Sequence, residues 1–479
     1  MNKIKEFLRN KKTNRKLVYN ICLIVTVFGL LFIVSGTSYA LLTGSSSSDK
    51  EQIIKAGDVT LELSEYFENT SQPISVMSDT DGLLLDETYS FNLKNIGEVS
   101  ARYDIKLVNE VPSDYNDEVI DDKYVKVGVE INGEEHGPFT LEEANNILDS
   151  GIIYENELIS YEIRVWLNED YEEEILDFDG YKGFFKVQVE AEQSLQERTA
   201  ADTIIAKVGT DGIVAEEHPE TEQLEATTDY RYTGANPNNY VEFNDELWRI
   251  IGVFPTDDGT GNIENRIKII RNEKVGNIAW NNDESNDWSM SSLKEILNSG
   301  DYYNRVGSYS TTGLISEAKS MIGKAKWYLG GVTPSNFNNA LASDFYSYER
   351  GTTVYSENST SFVGEVGLMY PSDYGYATSG GSAIDREECL SHALSDWDSN
   401  SDCYNNDWLY ANDLIQWTIT ADADYFSSVF YVYLDGYIGY NAELYIIDYL
   451  AVRPVIYLSV DVKITGGSGT ESAPYILSK

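Results

Sequence analysis

The sequence predicts a mainly β protein in which an N-terminal apolar helix precedes an antiparallel β-sandwich and an α+β domain. Residues 17–42 carry no charged side chain, which is typical of a segment that enters a membrane. Between residues 59 and 191, apolar and polar residues alternate with period two over several short runs. From Asp229 onward, aromatic-rich strand patterns are mixed with helical ones. Two folded regions of different type are therefore expected after the apolar segment.

The apolar segment fits a helix at a membrane. Its first 18 residues would span about 27 Å at about 1.5 Å per residue, close to the hydrocarbon thickness of a bilayer. Residues 1–16 hold seven basic side chains against one acidic side chain, and this bias predicts that the rest of the chain is exported. Small residues at Ser38 and Ala40 also match a signal-peptidase site near Ala40. For residues 1–42, retention as a transmembrane anchor and cleavage as a signal peptide with secretion both stay open.

The charge balance excludes some partners. The chain carries 79 acidic and 35 basic residues, a net charge of −44 at pH 7. Such a surface repels phosphate backbones and anionic membranes, so we expect no nucleic-acid binding and membrane contact only through the N-terminal helix. Hydrophobic residues make up 42% of the chain, which is enough for packed cores and excludes a disordered acidic chain.

Two cysteines lie in the exported part of the chain. Cys389 and Cys403 are 14 residues apart, whereas Cys22 lies in the apolar segment. A cysteine pair in an oxidising compartment most often forms one disulfide, so we predict a bridge between Cys389 and Cys403. The alternative is a two-cysteine metal site, for which His392 is the nearby histidine.

The sequence pattern of residues 43–197 predicts the β-sandwich. The alternating runs in this region are Val59–Leu63, Glu87–Leu93, Tyr103–Leu107, Val125–Ile131, Tyr161–Leu167 and Phe185–Ala191. Half-buried strands at turn-punctuated spacing favour an antiparallel β-sandwich. Thr140–Glu143 has capping-box spacing and predicts a short helix that ends near Gly151.

Four segments of the N-terminal half resemble TasA/camelysin-type exported proteins of Gram-positive bacteria. These segments are Ser38–Thr43, Ala56–Leu61, Tyr89–Gly97 and Tyr103–Leu107. The resemblance implies a jelly-roll-like sandwich that assembles into matrix fibres. One branch of that family has been called a metalloprotease, but this activity does not carry over. A zinc protease needs two histidines one helical turn apart with a glutamate base, and the sequence contains no His-Glu-x-x-His.

Residues 198–228 are expected to connect the two regions. Arg198–Val208 predicts a helix that ends at Gly209. Residues 209–228 are acidic and polar, which is typical of an interdomain linker.

Residues 229–479 predict the α+β domain. The predicted strands are Leu247–Phe254, Arg266–Ile270, Phe430–Leu434, Tyr437–Tyr440 and Leu450–Leu458. Pro454 is expected to place part of the last strand at an edge or a bulge. Helices are predicted from Ser292 to Gly300 and over Gly313–Trp327, and the apolar run Val366–Tyr370 is expected to be buried.

Parts of this domain resemble an uncharacterised C-terminal module of exported Firmicutes proteins. The matching segments are Tyr230–Val241, Leu247–Gly252, Asn406–Tyr410, Trp417–Ile419 and Val452–Leu458. The ending of the module is similar to the C-type-lectin-like fold shared by formylglycine-generating enzymes and receptor-binding proteins. The resemblance implies a lectin-like head that binds an extracellular protein or glycan, although a fold alone does not set a function.

An aromatic run begins at Tyr425 and Phe426 and continues through the terminal hairpins. Tyrosine among serine, glycine and asparagine is typical of recognition surfaces, because its rigid ring offers contact area and a hydrogen bond. The predicted ligand-binding residues are Tyr431, Tyr433, Tyr437, Tyr440, Asn441, Tyr445, Asp448 and Tyr449. The alternative is that these tyrosines fill strand positions with half-buried rings, and the pattern leaves both interpretations open.

Oxygen ligands at calcium-loop spacing occur near the disulfide. The candidate ligands, at loop positions 1, 3, 5, 7 and 12, are Asp396, Asp398, Asn400, Asp402 and Asp407. The glycine expected at position 6 is replaced by Ser401, and the last ligand is Asp instead of Glu. Calcium is therefore the one cofactor that the sequence raises. The alternative is a solvated loop closed by the disulfide.

The sequence carries no clear pattern for catalysis. It offers no recognisable nucleophile setting and no marked carboxylate pair, and the two exported cysteines are expected to be structural. We therefore expect a bacterial cell-surface adhesion protein, and not an enzyme, whose sandwich stalk presents a lectin-like head. Two alternatives remain: a biofilm-matrix fibre subunit that self-assembles by strand addition, and a cell-wall hydrolase.

Overall fold

The structure is a computed structural model that divides the chain into two compact units, Met1–Glu197 and Arg198–Lys479. It describes residues 51–56, 59–66, 75–86, 88–109, 120–169, 185–194, 197–221, 225–283, 285–440 and 449–479. With 41% strand and 20% helix, the protein is mainly β, as the sequence predicts. The apolar segment of residues 17–42 lies outside the described residues. Within the described ranges, no helix combines the length and the apolar character that crossing a bilayer requires.

The first unit contains two sheets. Its nine described strands are β1 (Glu51–Ala56), β2 (Val59–Tyr66), β3 (Tyr89–Asn95), β4 (Ala101–Asn109), β5 (Val125–Ile131), β6 (Glu134–Thr140), β7 (Ile147–Ile153), β8 (Leu158–Leu167) and β9 (Phe185–Gln193). One sheet has the order β1-β2-β3-β8-β5-β6, the other has the order β7-β4-β9, and all neighbouring strands are antiparallel. Helix α1 (Asp79–Leu83) and a 3-10 turn (Asp122–Tyr124) are short.

The core of this unit follows directly from the alternation in the sequence. Phe91 and Leu93 point inward from β3, Ile105 and Leu107 from β4, and Val127 from β5, and all are buried in one apolar cluster. Since successive side chains on a strand point to opposite faces, each alternating run supplies one apolar face to this cluster. Both sheets contribute, so the two faces close around a single core.

One predicted helix in this unit is wrong. The Thr140–Glu143 box does form, because the Thr140 hydroxyl accepts from the Glu143 N–H (3.1 Å) and the Glu143 carboxylate accepts from the Thr140 N–H (2.8 Å). However, Asn145 and Asn146 both adopt positive φ, which ends the helix after a single turn. The following residues, through Gly151, lie in β7 instead.

The second unit is larger and mixes many short elements. Its described strands are β10 (Ile213–His218), β11 (Thr227–Tyr232), β12 (Tyr240–Phe243), β13 (Glu246–Asp257), β14 (Ile263–Arg271), β15 (Gly276–Ala279), β16 (Ile322–Gly323), β17 (Ala325–Tyr328), β18 (Ser361–Gly364), β19 (Val366–Gly367), β20 (Gln416–Ala421), β21 (Val429–Val432), β22 (Ile438–Tyr440), β23 (Tyr449–Val452), β24 (Val455–Leu458), β25 (Lys463–Gly466) and β26 (Tyr475–Ser478). Its described helices are α2 (Ala200–Ile205), α3 (Ser292–Asn298), α4 (Asp301–Asn304), α5 (Ser316–Met321), α6 (Pro334–Phe337), α7 (Ala342–Arg350), α8 (Pro371–Tyr376), α9 (Arg386–Leu390) and α10 (Ser401–Asn405).

Three sheets organise these elements around one core. The largest has the order β16-β24-β14-β13-β12-β26-β25, and β11 joins it on β13, β10 on β11, and β19 on β24. A five-stranded sheet has the order β15-β23-β20-β21-β22, and β17 pairs with β18. The predicted hairpins β13–β14 and β21–β22 are confirmed. The predicted burial of Val366–Tyr370 is also confirmed, because Val366, Leu368, Met369 and Tyr370 are all at most 2% exposed.

The structure corrects the predicted linker over residues 209–228, because part of this segment is a strand. Ile213–His218 forms β10, which pairs residue by residue with β11 from Ile213↔Tyr232 to His218↔Thr227. The acidic side chains mislead because Glu217 is exposed and Glu216 is only half-buried, whereas Ile213 and His218, at the two ends of the strand, are buried. The His218 ring stacks on the Tyr346 ring at 3.5 Å. The predicted helix of the preceding segment is present, but it is shorter and spans Ala200–Ile205.

The predicted helix over Gly313–Trp327 is largely wrong. Only Ser316–Met321 is helical, and Ile322 and Gly323 then pair with Leu458 and Tyr457 of β24. Residues 325–328 pair with Ser361–Gly364. Helix-like spacing is overridden here by strands that come from distant parts of the chain. Helix α3 begins at Ser292 as predicted but ends at Asn298, and its cap is Ser291, whose hydroxyl accepts from the Lys294 N–H (3.1 Å).

Pro454 marks a change of sheet. The predicted strand Leu450–Leu458 is divided at Arg453 and Pro454 into β23 and β24. Strand β23 belongs to the five-stranded sheet and β24 to the largest sheet. Proline cannot donate a ladder hydrogen bond, so this position suits the corner between the two.

Candidate ligand-binding cleft

Most of the described tyrosines of the predicted binding site pack against each other or against the core. Tyr431 is only 4% exposed, and the half-buried ring of Tyr433 lies 6.2 Å from that of Tyr431 and 5.2 Å from that of Tyr437. Tyr440 is also half-buried and packs edge-on against Phe337 at 4.7 Å. Three members of the predicted set, Asn441, Tyr445 and Asp448, lie outside the described residues.

Tyr449 is the exception in this set, since it is 68% exposed. It is the first residue of β23, where it pairs with Ala279 of β15. Its exposed ring makes it a useful reference position for testing where a ligand binds.

The predicted calcium ligands are not gathered around one point. Asp396 and Asp398 are exposed, whereas the Asp402 carboxylate accepts from the N–H groups of Ala383 (2.8 Å) and Ile384 (3.2 Å). Asn400 caps the short helix α10 that contains Asp402. Calcium binding here stays a prediction, and across the ranges that the structure describes no group of three or more His, Cys, Asp or Glu side chains could hold a metal ion.

Asp407, the last residue of that set, is buried at 3% exposure. One of its carboxylate oxygens accepts from the Leu409 N–H at 2.8 Å. Burial raises the pKa of this carboxyl well above its ordinary value. Its surroundings are therefore those of a core residue.

Cys389 and Cys403 form a disulfide with a Cα–Cα distance of 5.5 Å. The bridge joins α9 to α10, and both cysteines are fully buried. It closes the segment that contains four of the predicted calcium ligands.

A different part of the second unit combines a cleft with unsatisfied polar atoms. Its lining comes from the end of β20, from the segment before α3, from the segment after β17 and from the segment before β18. The lining residues are Asn286, Asp287, Trp288, Leu329, Gly331, Val354, Tyr355, Asn358, Ser359, Ile419, Ala421 and Asp422. We call this the Asp422 cleft.

Asn286 holds the loop over residues 422–428 in place. Its side-chain amide nitrogen lies 2.8 Å from the Asp422 and Tyr425 carbonyl oxygens and 2.9 Å from that of Ser428. Its backbone N–H donates to the Phe426 carbonyl at 2.7 Å. The Asn358 amide in turn donates to the Asn286 side-chain oxygen at 2.7 Å. The cleft is therefore built from segments that are far apart in sequence but fixed to each other.

Asp422 has one free acceptor at the floor. Its Oδ1 accepts from the N–H groups of Asp424 (2.8 Å) and Tyr425 (3.2 Å), whereas its Oδ2 has no hydrogen-bond partner among the described residues. The side chain is buried, and burial raises its pKa from 3.8 to about 6. The Trp288 Nε1–H and the Ser428 hydroxyl are also buried without a partner there. Buried polar atoms are nearly always paired, so such a group is a place where a ligand that donates a hydrogen bond can bind.

Exposed aromatic side chains stand at the edge of this cleft. Tyr425 is 52% and Phe426 is 44% exposed, and the Phe426 ring lies 6.1 Å from that of Tyr355 in the cleft wall. The cleft itself has a volume of only about 10 Å³, which suits one water molecule or one hydroxyl group. A larger ligand would therefore place one polar group inside and lie across the aromatic edge.

The sequence alone gave a partial signal for this site. The run Ala421–Ser428 carries two aspartates and two aromatics between strands, which is typical of an exposed loop. Tyr425 and Phe426 open the aromatic run, but the predicted ligand-binding residues are the tyrosines further along it. Asn286 and Asn358 have no local signal, because only the fold brings them to Asp422.

Comparison of the chain with protein families, with curated proteins and with solved structures finds no match.

Proposed function

We propose that the chain is an exported cell-surface binding protein whose second unit recognises a glycan in the Asp422 cleft. In this proposal the first unit is a jelly-roll-like sandwich that serves as a stalk, and the second is a lectin-like head. The observation that carries it is the unpartnered Asp422 Oδ2, in the same loop as the exposed rings of Tyr425 and Phe426.

The chemistry of the cleft favours a hydroxyl-rich ligand. A carboxylate oxygen without a partner needs a donor, and hydrogen bonds to charged groups are stronger than neutral ones. A sugar offers a hydroxyl small enough for the enclosed space and a C–H face that can lie on an aromatic ring. Asn358, Ser359 and Asp287 at the walls add further polar groups. Few precisely placed polar groups beside aromatic contact area are typical of small-ligand sites.

The proposed location is supported by three features. The basic tail before the apolar segment is typical of an exported protein. The Cys389–Cys403 disulfide is of the kind that persists in oxidising compartments. The large negative charge suits a protein that stays soluble outside the cell.

A glycan array probed with the purified exported chain tests this proposal. We expect saturable binding to a defined set of glycans. For the best of them, Asp422→Asn should weaken binding by about tenfold to a hundredfold, because the charged acceptor is lost. Phe426→Ala should weaken the same binding through loss of ring contact.

Tyr449→Ala is the matched control. It removes an exposed aromatic residue of the predicted tyrosine site but leaves the cleft intact, so the affinity should stay unchanged. If Tyr449→Ala abolishes binding while Asp422→Asn has no effect, the cleft is not the site. If no glycan binds the intact chain, the proposed function itself is wrong.

A further inference from the structure

A lysine and an aspartate meet in the centre of the second unit. Lys268 lies on β14 and Asp373 lies on α8, 105 residues later in the chain. The Lys268 Nζ is in direct hydrogen-bond contact with the Asp373 Oδ2, and both side chains are only 1% exposed. The pair is thus isolated from solvent, unlike an ordinary surface ion pair.

Aromatic rings surround the lysine nitrogen. The distance from Nζ to the ring centre is 4.4 Å for Tyr370, 5.3 Å for Phe254, 5.5 Å for Tyr457 and 5.8 Å for Trp327. Burial among these rings lowers the pKa of Lys268, because the charged ammonium form loses its hydration. A desolvated lysine that gives up its proton is a good nucleophile.

The aspartate carboxyl group is held by two further donors. The Arg231 Nη1 lies 3.3 Å from Asp373 Oδ1, and the Tyr370 backbone N–H donates to Oδ2 at 2.9 Å. Negative charge develops on a carboxyl oxygen when an amine attacks its carbon. Donors already aimed at these oxygens stabilise that charge without having to reorganise.

Glu349 supplies a buried acid beside the pair. It is fully buried, and it accepts from both the N–H (3.0 Å) and the hydroxyl (2.5 Å) of Ser372, the residue before Asp373. Burial raises its pKa to about 7, and the negative charge of Asp373 contributes to this increase. By accepting from both donors of Ser372, Glu349 fixes the backbone next to Asp373.

We propose that Lys268 and Asp373 become joined by an intramolecular isopeptide bond, with Glu349 as a positioning residue that holds Ser372 next to Asp373. The Nζ lone pair attacks Asp373 Cγ and a nitrogen–carbon bond forms. Starting from the ion pair, two protons pass from Nζ to the departing carboxyl oxygen, which leaves as water. The product is a neutral amide, and the step requires no oxidant or reductant.

Such a bond would fix the second unit in a way that the disulfide does not. It would tie the largest sheet, through β14, to α8 beneath it, and it would close a loop of 105 residues. Reducing agents that open the Cys389–Cys403 bridge would leave it intact.

Peptide mapping of the purified full-length exported chain tests the proposal. After reduction and tryptic digestion, mass spectrometry should find one branched peptide that contains both Lys268 and Asp373. Its mass should be lower than the sum of the two parts by one water, and the chain should not be cleaved after Lys268. The pair Lys326–Asp257 is an internal control, because it is partly exposed to solvent, with 3.5 Å between its charged groups, and should yield separate peptides.

Variants then test the chemistry. Lys268→Arg keeps the charge but should give no branched peptide. Asp373→Asn should still form the bond, with loss of ammonia in place of water. Glu349→Gln should reduce the linked fraction in protein that retains the native tryptophan fluorescence, a readout that a purely structural role of Glu349 would not move.

The unmodified chain decides the matter even if a variant fails to fold. Separate peptides around Lys268 and Asp373 from the natively folded chain, at their full masses, would overturn the proposal and leave a buried ion pair. A branched peptide that also links Lys326 to Asp257 would attribute the linkage to sample handling, and it would equally overturn it.

Discussion

The interiors of the two units differ in the polar and charged side chains that they bury. In the described part of the first unit, the buried polar side chains are Asn95, Ser100 and Thr140, and none of them is charged. In the described part of the second unit, the buried charged side chains include Asp229, Arg231, Arg249, Lys268, Glu349, Asp373, Asp407, Asp422 and Arg453. The first core is an apolar layer between sheets, whereas the second contains a network of ions.

Aromatic rings make this network compatible with a core. The Arg231 guanidinium lies 4.6 Å from the Phe254 ring centre and 4.8 Å from that of Tyr376. Arg249 lies between Tyr240 and Trp408, at 4.4 Å and 4.5 Å. A planar, weakly hydrated guanidinium packs on such faces where an ammonium would be harder to accommodate. The difference between the units shows a second way to hold a core together. Where alternating strands are short, buried ion pairs can hold irregular segments in place.

The largest expected effect comes from breaking the ion network. Arg231 donates to Asp229 at 2.7 Å and lies 3.3 Å from Asp373. Arg231→Met keeps much of the side-chain volume but leaves the Asp229 carboxylate without the guanidinium, with the His218 ring nitrogen at 3.0 Å. We expect a loss of about 3–5 kcal/mol in the free energy of unfolding, as for other broken buried pairs. Urea unfolding followed by tryptophan fluorescence measures it, since seven of the eight tryptophans lie in the second unit.

Arg102→Met in the first unit is the matched control. The Arg102 side chain is 64% exposed and lies 3.8 Å from Glu192, so the same substitution should cost less than about 1 kcal/mol, measured by circular dichroism. Equal losses for both variants would contradict the comparison, because they would mean that the buried network adds nothing specific to the second unit.

A smaller effect is expected from pH through Glu349. Its folded pKa of about 7 lies above the ordinary value of 4.5, so the folded state binds the proton more tightly than the unfolded state does. Its contribution to stability is therefore complete below about pH 4.5 and is lost as the pH rises through 7. The loss should be about 3 kcal/mol at most. Unfolding of wild type and Glu349→Gln across this range measures it as a difference that grows with acidity.

The variant cannot titrate at this position, so its stability should lack this component. A wild-type minus variant difference that stays constant from pH 4 to pH 8 would show that Glu349 does not change its protonation on unfolding. Since Lys268 and Asp373 together are neutral whether or not they are linked, the direction of this prediction is the same in both states.

The contrast between the units also explains which features could be predicted from the sequence. In runs such as Tyr89–Leu93 the strand and its inward-facing side chains can be predicted locally, because alternation alone tells which side chains face the core. The hairpin β13–β14 is equally local. By contrast, Ile322 becomes a strand residue because Leu458 lies beside it, and His218 is buried because Tyr346 stacks on it. Neither partner is close in sequence.

The same reason accounts for the candidate site. Asp422 is unremarkable among 79 acidic residues, and its significance depends on Asn286 and Tyr355, which only the fold brings near it. The tyrosines of the terminal hairpin have the pattern of a recognition surface, yet Tyr431 packs into the core. Burial of a polar atom without a partner is a property of three-dimensional structure, and no spacing rule could have revealed it.

The smallest expected effect is one in which the two units should agree. Thr140 in the first unit and Ser291 in the second each accept a hydrogen bond at 3.1 Å from an N–H three residues later. Removing such a cap costs about 1 kcal/mol, because one backbone donor loses its partner. Thr140→Ala and Ser291→Ala should therefore lower the free energy of unfolding by similar amounts, measured by circular dichroism and tryptophan fluorescence respectively. A several-fold larger loss for Ser291→Ala would mean that local hydrogen bonds in the second unit depend on its ion network. Similar losses would mean that capping hydrogen bonds contribute equally to stability in both units. The units would then differ in their buried charges and not in how their turns and helices are capped.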